Sequence, residues 1–340
     1  MSPGKLDAQE MGAEYPTMFD ASSCTRRGLC PVSQIGDYDC SLESHSLYYE
    51  IHGNGVERIV FIMGKFNRLN STSSGWLPQV QHFGKLPQYS VLVFDNRGTG
   101  NSTTPWGPYS TTSMAEDVIA LLDFVGWTGN RGVHVVGMSL GGMIAQELAY
   151  RIPERIVSLS LLVTRAGGQP WDNLPPLTGI SLLARLLLAR DTEGKIGIIL
   201  DTLFPSEWLD QKADDDPEGR TNKDIQTGIY RHRIEITRPP SVMGVLSQMM
   251  AGLTHNVSPD KLRKISAFIP KVLILTGDTD MLVDPSGSVF LKRIMPEAEF
   301  HSWEQTGHAV AWQRAKWFNA LMERVIQEGR AATEKSFDTD

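Results

Sequence analysis

The sequence predicts an α/β architecture: a mainly parallel central sheet with helices on both faces, plus an inserted all-helical segment. Three observations carry this expectation. Short apolar runs of four to seven residues mostly lack a polar face, as strands buried on both sides do. Segments with apolar residues at helical spacing lie between those runs. One long interval, residues 166–269, is rich in helical patterns and holds no strand-like run.

Residues 1–36 are polar and weakly periodic, and read as an irregular N-terminal arm. "DYDCSLESHSLYYEIHGNG" alternates as a hairpin does, with its turn expected near Glu43–His45. The buried-strand candidates follow: "RIVFIMG" ending at Gly64, "SVLVFDNRG" at Gly98, "GVHVVGMS" at Ser139 and "RIVSLSLLVT" near Thr164. "KVLILTGD" ends near Asp278 and "EAEFHSWE" near Glu304. In the first intervening helix Met114, Val118, Leu121, Leu122 and Val125 form one stripe. Thr112 or Ser113 followed by Glu116 suggests its capping box. Leu140, Ile144, Leu148 and Ile152 mark a face of the next helix, which Pro153 ends. "PSGSVFLKRIMP" and "VAWQRAKWFNALMERVIQ" continue the alternation. The expected organisation is therefore a core of residues 37–165 and 270–328, a helical cap at 166–269 and a flexible tail at 329–340.

Composition narrows the function. The 32 basic and 39 acidic residues leave a net charge of −7, and no basic block offers a nucleic-acid footprint. No apolar run is long enough for a membrane span. The first twenty residues contain no apolar h-region, so a cytoplasmic protein is expected. Cys24, Cys30 and Cys40 read as free thiols in a reducing compartment. A zinc site borrowing His45 or His52 fits no common ligand spacing, and no metal or cofactor is expected.

Within "HVVGMSLGGMIAQ", Ser139 stands between Gly137 and Gly141, after a strand pattern and before a helical one. A tight strand-to-helix turn strains its middle residue and crowds the residues two positions away, so both must be small. Such a turn lifts the hydroxyl above the sheet edge. It also aims the free N–H groups at the start of the helix, beginning with Leu140, toward a developing oxyanion. A serine hydroxyl attacks only when a base removes its proton. "EQTGHAVAW" offers His308 after the last strand, and "LTGDTDMLVDP" offers acids after the one before it. Active groups of open parallel sheets collect beyond the strands' carboxyl ends, where Ser139, Asp280 and His308 all fall.

With these motifs the chain resembles the α/β-hydrolase fold family with a helical cap, in its serine-nucleophile branch. "VGMSLGG" is similar to the nucleophile elbow, "TGDTDMLVDP" to the acid loop, "TGHAV" to the histidine loop and "FDNRGTGNS" to the turn after the fourth strand. The resemblance spans roughly residues 37–327 and implies roles for individual residues. Ser139 is the nucleophile, His308 the general base and Asp280 the acid, with Asp278 and Asp284 as rivals. The oxyanion donors are the backbone N–H of Leu140 and one after the third strand. There "IMGKF" replaces a common His-Gly pair, which makes Lys65 the expected donor and Phe66 its alternative. Asp95 and Arg97 are read as bracing their turn through a local charged hydrogen bond. The stripe Leu182–Leu188 reads first as packing, but a cap over a serine site must line something. Phe66, Met138, Leu182 and Leu186 are the candidates for an apolar substrate pocket.

The expected function is a serine hydrolase of the carboxylesterase, lipase or lactonase type, working through an acyl-enzyme on a hydrophobic small-molecule acyl substrate. An acyltransferase or a cofactor-free lyase would use the same residues. A small-molecule receptor that kept the pocket is the reading from a different class.

Overall fold

In the computed structural model the described residues are 15–35, 42–64, 72–174, 176–189, 191–239 and 241–337. They build one eight-stranded sheet in the order β1-β2-β4-β3-β5-β6-β7-β8. The strands are β1 Cys24–Ile35, β2 Leu42–His52, β3 Glu57–Ile62, β4 Tyr89–Phe94, β5 Val133–Met138, β6 Ile156–Leu162, β7 Lys271–Gly277 and β8 Glu299–Trp303. β2 runs antiparallel to both β1 and β4. Every pairing from β4 to β8 is parallel.

The central runs lack a polar face because both faces are covered. Along β3, Val60 and Ile62 join the core on one side of the sheet, while Ile59 and Phe61 join the core on the other. In chain order the helices flanking the sheet begin with α1 Leu77–Phe83, α2 Thr111–Val125 and α3 Leu140–Arg151. Among the described residues the inserted segment continues with α4 Leu177–Leu188, α5 Thr192–Leu203, α6 Ser206–Leu209, α7 Asn222–Ile236 and α8 Val242–Leu253. α9 Pro259–Phe268, α10 Ser286–Ile294, α11 Val310–Gln313 and α12 Ala315–Phe337 complete the set. Side chains of α2, α3, α9 and α10 build the first core, and those of α1 and α12 build the second. Among the described residues no helix is long and apolar enough to cross a membrane.

Several boundaries differ from the sequence reading. Residues 24–35, expected within an irregular arm, form the edge strand β1. Its polar outer positions hide the alternation, which survives only in Cys30 and Val32 on the buried side. The hairpin turn is not at Glu43–His45, because β1 pairs with β2 from Ile35↔Leu42 onward and those three residues lie within β2. The cap of α2 is Ser110 with Ser113, one turn earlier than expected, and Gly126 ends the helix at φ 80°. α9 packs on α3 and contributes Leu262 and Ile265 to the sheet core, so the cap gives way to core before residue 269.

The tail is also firmer than its composition suggests. α12 continues through Phe337. Arg330 donates to both carboxylate oxygens of Glu57, at 3.0 and 2.7 Å, and to the Arg131 carbonyl at 2.9 Å. A Cβ on Gly329 would stand 3.1 Å from Ser158 Cβ, so the helix crosses β6 closely there. Apolar periodicity fades because a glycine and an ion pair, not apolar side chains, make these contacts.

Candidate active site

Ser139 occupies the single residue between β5 and α3, with φ 59° and ψ −123°. A non-glycine residue in that region stores roughly 1–3 kcal/mol of backbone strain. Its neighbours explain why the chain tolerates it. A Cβ on Gly137 would lie 2.4 Å from the Gly141 carbonyl oxygen, and one on Gly141 would lie 2.1 Å from the Ile62 carbonyl oxygen. No side chain fits at either position. The turn is tied down by Ser139 N–H donating to Leu162 O at 2.9 Å and Thr164 Oγ1 donating to Ser139 O at 2.8 Å. The Ser139 hydroxyl does not cap its own helix. The N–H of Leu140, at the first helical position, has no intrahelical acceptor.

The loop leaving β3 comes close to this turn. A Cβ on Gly64 would stand 2.7 Å from Ser139 Cβ and 2.8 Å from Leu140 N. Asn96 Nδ2 donates to the Met63 carbonyl at 2.7 Å, and Ser73 donates to Asp95 Oδ1 through its N–H and its hydroxyl, at 2.8 and 2.9 Å. Asp95 and Asn96 therefore fix both ends of the segment between Met63 and Ser73. Burial holds the Asp95 carboxyl above its ordinary range, and those hydrogen bonds with one from Asn101 N–H only partly offset the push. Lys65 and Phe66 lie outside the described residues.

Asp95 braces its turn as expected, with Oδ2 accepting Asn101 N–H at 2.9 Å. Arg97 grips Asp117 of α2 through two hydrogen bonds, Nε to Oδ2 at 2.6 Å and one from its terminal nitrogen to Oδ1 at 2.7 Å. His45 adds a third contact to Asp117, at 2.9 Å. The sequence signal was Asp117 itself, a carboxylate set among Met114, Val118 and Leu121 on the buried side of a helix.

His308 Nδ1 and Asp280 Oδ2 are 2.7 Å apart, and both residues are buried. The other Asp280 oxygen accepts the N–H groups of Leu282 and Val283 at 2.8 and 3.0 Å, which holds the carboxylate in one orientation. Asp278 and Asp284 are exposed and engaged elsewhere. Asp278 accepts Thr306 N–H at 3.1 Å, and Asp284 accepts Ser286 N–H at 2.8 Å. The histidine loop is held on both flanks, by Gly307 N–H to Gln313 Oε1 at 2.9 Å and Ala309 N–H to Leu203 O at 3.2 Å. No hydrogen bond joins the Ser139 hydroxyl to the imidazole. Ser139 follows β5 and Asp280 follows β7, two strand spacings or about 10 Å apart across the sheet.

The cap reaches this end of the sheet at three points that the sequence did not reveal. Leu203, at the end of α5, holds the histidine loop. Gln248 of α8 donates to Arg97 O at 2.5 Å. A Cβ on Gly252 would lie 3.9 Å from Leu140 Cδ1, which sets α8 over the elbow. Met138 and Leu140 flank Ser139 and are buried. Leu186 is buried in α4, which packs on α5, and Leu182 shares that helix. A separate open cleft of about 540 Å³ runs between Arg165, Asp172, Leu174, Asp284 and Phe290, and none of Ser139, Asp280 and His308 lines it.

Comparison with known proteins agrees with this architecture. A sequence model described as alpha/beta hydrolase fold matches residues 57–315. The chain is 27% identical over 286 residues to RutD of Caulobacter segnis, a protein provisionally assigned as a carbamate hydrolase. That match covers 82% of this chain and 96% of RutD. It is 27% identical over 244 residues to the poly(3-hydroxyalkanoate) depolymerase of Ectopseudomonas oleovorans, covering 72% and 77% of the two chains. Among solved structures, the enol-lactonase of Burkholderia xenovorans superimposes with a TM-score of 0.64 at 23% identity, over 83% of this chain and 97% of the enzyme.

Proposed function

Since this chain belongs to the alpha/beta hydrolase fold family, we propose that it is a serine hydrolase that cleaves an ester, lactone or related acyl bond through Ser139, His308 and Asp280. The observation that carries the reading is the 2.7 Å contact between His308 Nδ1 and Asp280 Oδ2, at the same sheet edge as the strained Ser139 turn. The names of its relatives, a provisional carbamate hydrolase and a polyester depolymerase, support acyl chemistry with oxygen or nitrogen on the carbonyl.

Asp280 holds the Nδ1–H tautomer, which leaves a lone pair on Nε2 for the base role. When substrate fills the site, Ser139 Oγ attacks the carbonyl carbon and its proton passes to His308 Nε2. Negative charge gathers on the carbonyl oxygen. It is held by Leu140 N–H and by a backbone N–H of the segment after Gly64, for which Lys65 is the first choice. The imidazolium then protonates the leaving alcohol or amine as the carbon–oxygen or carbon–nitrogen bond breaks. Water attacks the acyl-enzyme, gives its proton to His308, and releases the acid with Ser139 restored. α8 over the elbow and α5 on the histidine loop keep bulk water from the reacting atoms, and Met138 and Leu140 supply an apolar floor.

A panel of acyl esters and lactones of graded chain length tests the reading. The wild-type protein is expected to hydrolyse some members and Ser139→Ala none above background. A Ser139→Ala protein with wild-type turnover would overturn it.

A further inference from the structure

Far from this edge, three metal-ligating side chains meet at the open end of the first hairpin. Cys24 opens β1 and is paired in register with His52, the last residue of β2. Glu50 lies two residues before His52 and so shares its face of the strand. The Cys24 sulfur, a Glu50 carboxylate oxygen and a ring nitrogen of His52 all lie within 4.8 Å of one another. Glu50 and His52 are 1% and 0% exposed, and Cys24 is partly exposed.

The hydrogen bonds around the cluster set which of its atoms face one another. The Ser23 hydroxyl lies 3.1 Å from the Asp20 carbonyl and 2.9 Å from His52 Nδ1; when its proton goes to the carbonyl, it accepts from Nδ1. The imidazole proton is then on Nδ1, and Nε2 carries a lone pair. That Nε2 is buried and has no hydrogen-bond partner among the described residues. It faces Glu50 Oε2 at 3.4 Å. The other Glu50 oxygen is occupied by the Tyr48 hydroxyl, which donates to Oε1 at 3.0 Å. A lone pair and a carboxylate oxygen this close in a dry site repel unless a proton or a metal ion lies between them.

The geometry points to a divalent metal site in which Cys24 Sγ, Glu50 Oε2 and His52 Nε2 bind an ion of the zinc class. A tetrahedral ion with bonds of about 2.1 Å holds its nitrogen and oxygen ligands about 3.4 Å apart, the separation found here. Cys24 Sγ needs to move in by roughly 1 Å at most to complete a zinc–sulfur bond. The thiol already hydrogen-bonds the Glu50 carboxylate, and its contact to Arg26 O, at 3.7 Å, is weak enough to allow that. On binding, the thiol proton leaves to solvent and a sulfur–metal bond forms. Thiolate and carboxylate then balance the ion's two positive charges. A thiolate, an imidazole and a carboxylate together suit zinc better than magnesium or calcium. Ser23 on the imidazole and Tyr48 on the carboxylate orient the ligands as outer partners in metal sites do.

The ion would pin β1 to β2 ahead of residues 57–315, the stretch the family model matches. His52 pairs with Val91 near the start of β4, at the opposite end of the sheet from Ser139. With three protein ligands, water fills the fourth position, and the site stands whether or not Ser139 is a nucleophile.

The test is titration of the full-length, chelator-treated protein with Co2+, followed by competition with Zn2+. One equivalent of Co2+ is expected to produce thiolate-to-cobalt charge transfer and tetrahedral d–d bands, and Zn2+ to abolish them. Cys24→Ser is expected to lose the charge-transfer band. His52→Gln is expected to weaken binding at least about tenfold. Cys30→Ser, Cys40→Ser and Ser139→Ala are expected to keep the full spectrum. Zn2+ is expected to raise the Tm of the wild-type protein and not that of Cys24→Ser. Absence of the band in the wild-type protein, or its persistence in Cys24→Ser, would overturn the assignment.

Discussion

Gly64 lies against Ser139 so closely that a Cβ at residue 64 would stand 2.7 Å from the serine Cβ. The same Cβ would press on Leu140 N, the proposed oxyanion donor, at 2.8 Å. Gly64→Ala should therefore displace the donor from its working position while the rest of the sheet folds. A fall in kcat of about 100-fold or more is expected, the scale of losing one oxyanion donor. Steady-state kinetics, with a thermal melt to confirm folding, measure it. Wild-type kcat in Gly64→Ala would mean that this space is not used in the reaction.

Asp280 differs from its two neighbours in what it touches. Asp280→Asn keeps the shape of the side chain but loses the charge that orients and stabilises the imidazole, so kcat should fall roughly 10³–10⁴-fold. Asp278→Asn and Asp284→Asn remove exposed turn acids and should leave kcat/KM within about threefold, as surface changes do. Comparing the three variants side by side separates a triad acid from a loop-bracing one.

How far the sequence carried these conclusions can be argued from single residues. Ser139 was legible because backbone crowding dictates residue type locally: Gly137 and Gly141 are glycines for steric reasons that their spacing alone reveals. His308 and Asp280 were legible as candidates from their places after β8 and β7, and Asp280 was separated from Asp278 only by burial and the imidazole contact. β1 was missed because an edge strand alternates weakly. Arg330 was assigned to a tail because an ion pair to Glu57, 273 residues away, leaves no periodic trace. The Cys24–Glu50–His52 cluster was hidden for a similar reason. Its ligands come from two antiparallel strands, so their spacing matches no linear motif.

The Arg97–Asp117 pair is fully buried, with side chains 2% and 3% exposed. Removing one partner leaves the other charge stranded, so Asp117→Ala is expected to cost on the order of 3–5 kcal/mol of stability. Urea unfolding monitored by circular dichroism measures it. A loss below about 1 kcal/mol would show that Arg97 finds another partner when its acid is removed.

His255 lies at the root of the cap, where its Nδ1 meets Thr111 Oγ1 at 2.9 Å and its carbonyl accepts Asn173 Nδ2 at 2.8 Å. Burial, with a smaller push from Lys261, lowers its pKa from 6.5 to about 3. The unfolded chain therefore binds a proton below pH 6.5 that the folded chain refuses until about pH 3. Its contribution to stability is complete above pH 6.5 and declines as pH falls across that window. His255→Gln should flatten the decline relative to wild type in pH-dependent urea denaturation. Parallel curves for the two proteins would contradict this account.

The central claim, that Ser139 is a nucleophile activated by His308, is tested most directly by labelling with a fluorophosphonate and locating the adduct by peptide mass spectrometry. One adduct per chain is expected, on Ser139, with a labelling rate at least about a thousandfold lower in His308→Ala. An adduct on any other residue, or a rate unchanged in His308→Ala, would contradict it.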